Sequence, residues 1–189
     1  MLKQLYCGSS CIRYILESYG IDTDTLKTDM LWVSELALSL KKNGLSNIQI
    51  YCYNSRLYTD FMNKEVDLNF DGFKYLKEVQ EQNILIEERN ISINSFTEEI
   101  DSCEYLVLCV ESRIFNSDDL MSGGHYIILN GRDGENIRVI NPIKEKYEIK
   151  ILNINFLIKA CRDYGAWRIL IREEKNDKSY CIWFSWSSC

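Results

Sequence analysis

The chain has 189 residues, 46% of them apolar and 26% charged, with 28 acidic against 22 basic side chains and a net charge of −6. A chain of that length fits one domain with a core of its own. The acidic balance excludes a general nucleic-acid binder, which needs a basic footprint, and no polybasic cluster marks an anionic membrane surface as a partner.

The opening Met1–Ser10 carries no long apolar run. No signal peptide and no membrane span are expected, and the expected compartment is the cytoplasm. Eight cysteines stand at 7, 11, 52, 103, 109, 161, 181 and 189. In a reducing compartment most are expected to be free thiols. Cys52 and Cys109 lie in apolar strand-like runs and read as small buried hydrophobes. There is no C-x2-C pair, and the single histidine offers no second imidazole, so no metal and no cofactor is expected.

In chain order, residues 8–19 read as a helix, with Cys11, Ile15 and Tyr19 on one face and Gly20 as its stop. Residues 31–43 read as a second helix ending before Gly44. Residues 48–53 alternate as a strand. Residues 71–82 read as a helix with Phe73, Leu76 and Val79 on one face and Asp71 as N-cap. Ser95 followed by Glu98 has the capping-box pattern, so a short helix is expected to start there. Tyr105–Val110 is a continuous apolar run of buried-strand type. His125–Leu129 and Ile137–Ile140 are two more strands, joined through a hairpin-like turn at Gly131–Gly134. A helix at 154–163 and a strand at 167–171 close the pattern. Helices first and strands later imply an α+β domain over residues 1–172. Residues 173–189 read as a polar linker and a tail, CIWFSWSSC, with three aromatics and no charge. For the tail, docking on the domain, binding a partner, filling the cleft and adding an edge strand all stay open.

Three residues can carry chemistry. Cys7 directly precedes the first predicted helix, where the dipole and free N–H groups favour a thiolate. A buried, inert thiol is an even alternative. Gly8 beside it would let a substrate backbone approach. His125, the only histidine, is the only imidazole base available, although a lone histidine is more often a satisfied core residue. Asn141 lies sixteen residues further on, at the end of the next strand. Its carbonyl could accept the imidazole N–H and fix the tautomer, and Asn141-Pro142 is equally a common turn starter. A cysteine opening a helix near the start, then a distant histidine, then an asparagine, is the papain-type order.

These elements resemble a known family. Gln4-Leu5-Tyr6, the Cys7–Cys11 run CGSSC, Trp32–Gly44, Asn69–Ile100, the GGHYIILNG of Gly123–Gly131 and the IRVINP of Ile137–Pro142 are similar to the guanylyl cyclase domain-containing protein family. That family is itself similar to C39-type papain-like cysteine peptidases. The resemblance runs from Gln4 to Ile171. It implies a papain-like fold, with N-terminal helices packed on a mainly antiparallel sheet. It implies Cys7 as nucleophile, His125 as base, Asn141 as orienting residue and Gln4 as the oxyanion glutamine. Here Gln4 stands only three residues before Cys7, a shorter loop than the family's. The shortening puts an oxyanion donor worth about 3–4 kcal/mol at risk of falling out of reach.

The family's name promises a cyclase, and the residues speak against one. Nucleotide cyclisation needs metal-binding carboxylates and a phosphate cradle. No Gly-rich phosphate loop is present, and Asp118-Asp119 sits in a polar, solvated stretch. The expected function is therefore a thiol-dependent hydrolase acting on peptide or isopeptide bonds of a peptide or protein substrate. The alternatives are acyl transfer through the same three residues and a catalytically inactive peptide-binding module.

Overall fold

The computed structural model describes residues 6–53, 71–115, 124–143, 146–162 and 167–172. Helix α1 spans Cys7–Ser18, α2 Val33–Lys42, α3 Asp71–Glu81, α4 Ile93–Asp101 and α5 Ile154–Arg162. The strands are β1 Ile48–Cys52, β2 Leu85–Glu88, β3 Tyr105–Glu111, β4 Gly124–Asp133, β5 Asn136–Ile143, β6 Lys146–Asn153 and β7 Arg168–Ile171, with a short 3-10 turn at Ser112–Ile114. Helices α1 and α2 stop where the sequence says they stop. Gly20 and Gly44 adopt φ of 71° and 99°, a conformation other residues resist.

The seven strands form one sheet in the order β2-β1-β7-β3-β4-β5-β6. Only β1 and β2 run parallel; every other pair is antiparallel. The fold is therefore mixed α+β on a mainly antiparallel sheet. Helices cover both faces. On one face Ile12, Leu16, Leu36, Leu40 and Val79 from α1–α3 pack on Val107, Ile128, Ile140 and Ile169. On the other, Phe96, Ile100, Leu157 and Cys161 from α4 and α5 pack on Leu106, Leu108, Ile127, Val139 and Leu170. A strand covered on both faces must be apolar at every position, which is why Tyr105–Val110 reads as an unbroken run.

Several local readings change. The box that starts α4 is Ser92 with Ser95. The Ser92 hydroxyl accepts from Ser95 N at 3.1 Å and the Ser95 hydroxyl accepts from Ser92 N at 2.9 Å. Helix α3 begins at Asp71 itself. Asn141-Pro142 is no turn: both residues lie inside β5, paired with Glu148 and Tyr147 of β6. Strands β2 and β6 add to the strands read from the sequence. No helix among the described residues is long and apolar enough to cross a membrane. Residues 173–189 lie outside the described residues, and with them the tail.

Candidate active site

Cys7 is the first residue of α1, and the chain fixes that helix end from several sides. Tyr6 N donates to Thr28 O at 3.0 Å, and Met30 N donates to the buried Ser9 hydroxyl at 3.1 Å. The Tyr147 hydroxyl donates to Ser10 O at 3.2 Å. Tyr14 stacks edge-on against Tyr147 and Tyr105, with centroids 4.9 and 6.3 Å apart. Gly8 also serves the chain's own packing. A Cβ there would lie 3.0 Å from Met30 O and 3.1 Å from Leu36, so the close approach it permits is to the chain's own backbone and to α2.

The half-buried Cys7 thiol meets β4 where β4 and β5 part. Their described pairing ends at Ile128–Ile140. Continued by two residues, that register would set Tyr126 opposite Pro142, which has no N–H to give. Instead Tyr126 N–H points at Cys7 Sγ, 3.5 Å away. His125, the residue before Tyr126, stands close enough to Cys7 to draw its thiol down. Burial pushes the Cys7 thiol up. The His125 hydrogen bond, the Tyr126 N–H, the charge of His125 and the Gly8 N–H together outweigh it and leave the pKa below the ordinary 9.0.

His125 Nε2 lies 2.7 Å from Asn141 Oδ1. Asn141 is only 1% exposed, and its Nδ2 donates to Glu148 Oε2 at 3.4 Å. The amide nitrogen is thus turned to a carboxylate and its oxygen to the imidazole. Nε2 carries the proton it donates to Oδ1, which leaves Nδ1 for the thiol. Phe115 sets its ring edge-on to His125 with centroids 5.8 Å apart. Lys150 lies over Phe115 at 5.4 Å and pairs with Glu148 at 3.1 Å. Phe115, Glu148 and Lys150 were not singled out from the sequence. The signal for the last two is the alternation Tyr147, Glu148, Ile149, Lys150, Ile151, a strand period in plain view.

The other described cysteines are free thiols of a different kind. Burial pushes Cys11 well above its ordinary value, and it pushes Cys52, Cys103 and Cys109 up to about 12 and Cys161 higher still. Among the described residues no group of three or more His, Cys, Asp or Glu side chains could hold a metal ion. Gln4, Asp118 and Asp119 lie outside the described residues. The structure brings Cys7, His125 and Asn141 together: Tyr126 N–H, next to His125, reaches Cys7 Sγ, and His125 Nε2 lies 2.7 Å from Asn141 Oδ1. No protein-family model, curated protein or solved structure matches the chain.

Proposed function

We propose that the protein is a thiol-dependent hydrolase with a papain-like, C39-like fold, acting on peptide or isopeptide bonds in the cytoplasm. One observation carries the reading: the chain's single imidazole lies 2.7 Å from a buried amide oxygen, and the backbone N–H of the next residue meets a helix-opening thiol that the imidazole draws below its ordinary value. In this reading His125 takes the thiol proton and Cys7 Sγ attacks the scissile carbonyl. The C–N bond breaks as the leaving amine takes that proton from His125. Water, deprotonated by His125, then hydrolyses the thioester and restores the thiol. Asn141 keeps the ring in the required tautomer. The N–H groups that open α1 have no acceptor within the helix and supply donors for the oxyanion. Gln4 would add a side-chain donor, following the resemblance to the guanylyl cyclase domain-containing family.

The test is residue-resolved alkylation. At neutral pH, Cys7 is expected to react with iodoacetamide faster than Cys11, Cys52, Cys103, Cys109 and Cys161, since among the described thiols its own is drawn below the ordinary value while the others are pushed above it. Cys7→Ala is expected to abolish turnover of a peptide library. If Cys7 reacts fastest and no library peptide is cleaved, a peptide-binding module or acyl transfer to an amine replaces hydrolysis. If Cys7 reacts no faster than Cys11, the triad reading falls.

A further inference from the structure

We propose that the outer edge of β6 is an interface for a second copy of this chain, which pairs with it antiparallel about a two-fold axis at Ile149 and joins the two sheets into one.

Strand β6 ends the sheet on one side, so half of its backbone N–H and C=O groups meet no ladder partner among the described strands. Such an edge is normally guarded by shortness or by repelling charge. The opposite edge is: β2 has four residues and ends on two like charges, Glu87 and Glu88. Strand β6 runs for eight residues, Lys146–Asn153, and its charges alternate in sign through Lys146, Glu148 and Lys150.

Successive side chains point to opposite faces of a strand, and the contacts of β6 fix which way each one goes. Tyr147 turns to α1, where its ring centroid lies 4.9 Å from that of Tyr14 and its hydroxyl donates to Ser10 O. Ile149 and Ile151 follow on that face and are left open, 57% and 63% exposed. On the other face Glu148 meets Asn141 at 3.4 Å and Lys150 at 3.1 Å, and Lys150 lies over Phe115.

Symmetry selects the occupant. Two antiparallel copies of one strand are related by a two-fold axis normal to the sheet, which keeps each face continuous. The axis must stand level with a residue, because an axis between residues would set one face of the strand against the other. Three positions use most of β6. At Glu148 the axis sets carboxylate against carboxylate, and at Lys150 ammonium against ammonium. At Ile149 it sets Glu148 of each copy opposite Lys150 of the other, and Tyr147 opposite Ile151, with the two Ile149 side chains meeting on the axis. One face gains a continuous apolar row, and the other a square of four alternating charges. Apolar and opposite-charge pairs stabilise a ladder, and like charges directly opposite destabilise it. A foreign strand has no reason to match both rows; the chain's own β6 matches both. A single ladder is a small interface, at or below the roughly 1,200 Å² that marks weak complexes, so the dimer forms at micromolar concentrations and above.

The test is sedimentation velocity on the full chain from about 1 to about 300 μM, a span that brackets a weak complex. The chain is expected to pass from monomer to dimer within it. Ile149→Lys, at an exposed site, brings two ammonium groups together on the axis and is expected to weaken association at least about tenfold. Glu148→Lys and Lys150→Glu each put like charges in the opposed pairs and are expected to stay monomeric alone. Mixed in equal amounts they restore every opposite pair and are expected to associate, which a misfolded variant would not do. A chain that stays monomeric throughout, a dimer that Ile149→Lys leaves intact, or charge variants that fail to associate on mixing overturns the proposal. Amide exchange reads the other occupant. Outward β6 N–H groups already protected at concentrations where the chain is monomeric would assign the edge to a segment of the chain itself and overturn the dimer as well.

Discussion

Arg168 and Glu99 meet with neither side chain exposed to solvent. Nη2 donates to Oε1 at 2.6 Å, and Nε donates to the other oxygen. Arg89 Nε stands 3.7 Å from the same carboxylate, and both guanidinium groups lie over the Tyr51 ring at 5.2 and 5.4 Å. One carboxylate thus faces two cations. Glu99→Gln leaves the buried Arg168 without its counter-charge, while Arg89 keeps Glu98 at 2.9 Å, and is expected to lower unfolding free energy by about 3–5 kcal/mol, the cost of breaking a buried pair. Arg168→Met leaves Glu99 with Arg89 and is expected to cost less. Urea midpoints of the two variants decide the ranking, and a costlier Arg168→Met would contradict it.

Cys7 is expected to show a pH profile of alkylation with its midpoint below 9.0. Burial alone would move it the other way, and His125, first through its hydrogen bond, makes the difference. His125→Ala removes that bond and the charge, so the midpoint should rise to 9.0 or beyond and the rate at neutral pH should fall in proportion to the lost thiolate. An unmoved midpoint in His125→Ala would show that the helix end and the Tyr126 N–H suffice.

In the proposed mechanism Asn141 acts through the ring and does not touch the reacting bond. Asn141→Ala deprives Nε2 of its acceptor, and turnover of the best library peptide is expected to fall by about a hundredfold, the low end of what acid–base catalysis contributes. Asn141→Asp keeps an acceptor oxygen and adds a charge that favours the imidazolium. It should recover part of the turnover and move the alkaline limb of the pH profile upward. A variant that merely loosened the sheet would lower activity without moving that limb.

Gly8→Ala places a methyl group 3.0 Å from Met30 O and 3.1 Å from Leu36. The Met30 backbone or α1 must shift by a few tenths of an ångström to admit it, and the expected loss is about 1–3 kcal/mol of stability, as for other overpacked sites. A shifted α1 also carries Cys7 with it, and the alkylation rate should fall along with the melting temperature. Unchanged values for both would mean that the approach of α1 to Met30 is looser than its distances imply.

The elements legible in the sequence are those whose signals are local. Gly20 and Gly44 mark helix ends because only glycine relaxes at their positive φ. Tyr105–Val110 announces a doubly covered strand by its unbroken apolarity. The hairpin from β4 to β5 is legible, but its turn falls later than the sequence suggests, at Gly134-Glu135, while Gly131 lies inside β4 where the register shifts between Leu129 and Arg132. Strand β2 escapes notice because Leu85, Glu87 and Glu88 are exposed at a sheet edge and carry no burial pattern. Asn141-Pro142 misleads because a dipeptide common in turns here sits beyond the last described β4–β5 pair, Ile128–Ile140, where no ladder bond from a Pro142 N–H is needed on that side. In the candidate site, His125 and Asn141 could be named because a lone imidazole leaves no choice. Phe115 meets the ring, Glu148 meets Asn141, and Lys150 meets Phe115 and Glu148 only once the sheet has formed; the strand period of Tyr147–Ile151 marks β6 but not these contacts.

The position of β7 in the sheet reaches into biosynthesis. It lies between β1 and β3, pairing Ile171 with Ile48 on one side and with Tyr105 on the other. Until residues 168–171 leave the ribosome, β2-β1 and β3-β4-β5-β6 are separate ribbons, each with an open edge of apolar strand. Translation at about 5–20 residues per second leaves those edges bare for several seconds. The nascent chain is thus a natural client for a chaperone that masks strand edges, and a ribosome stalled before Arg168 would hold a chain prone to pair with its neighbours.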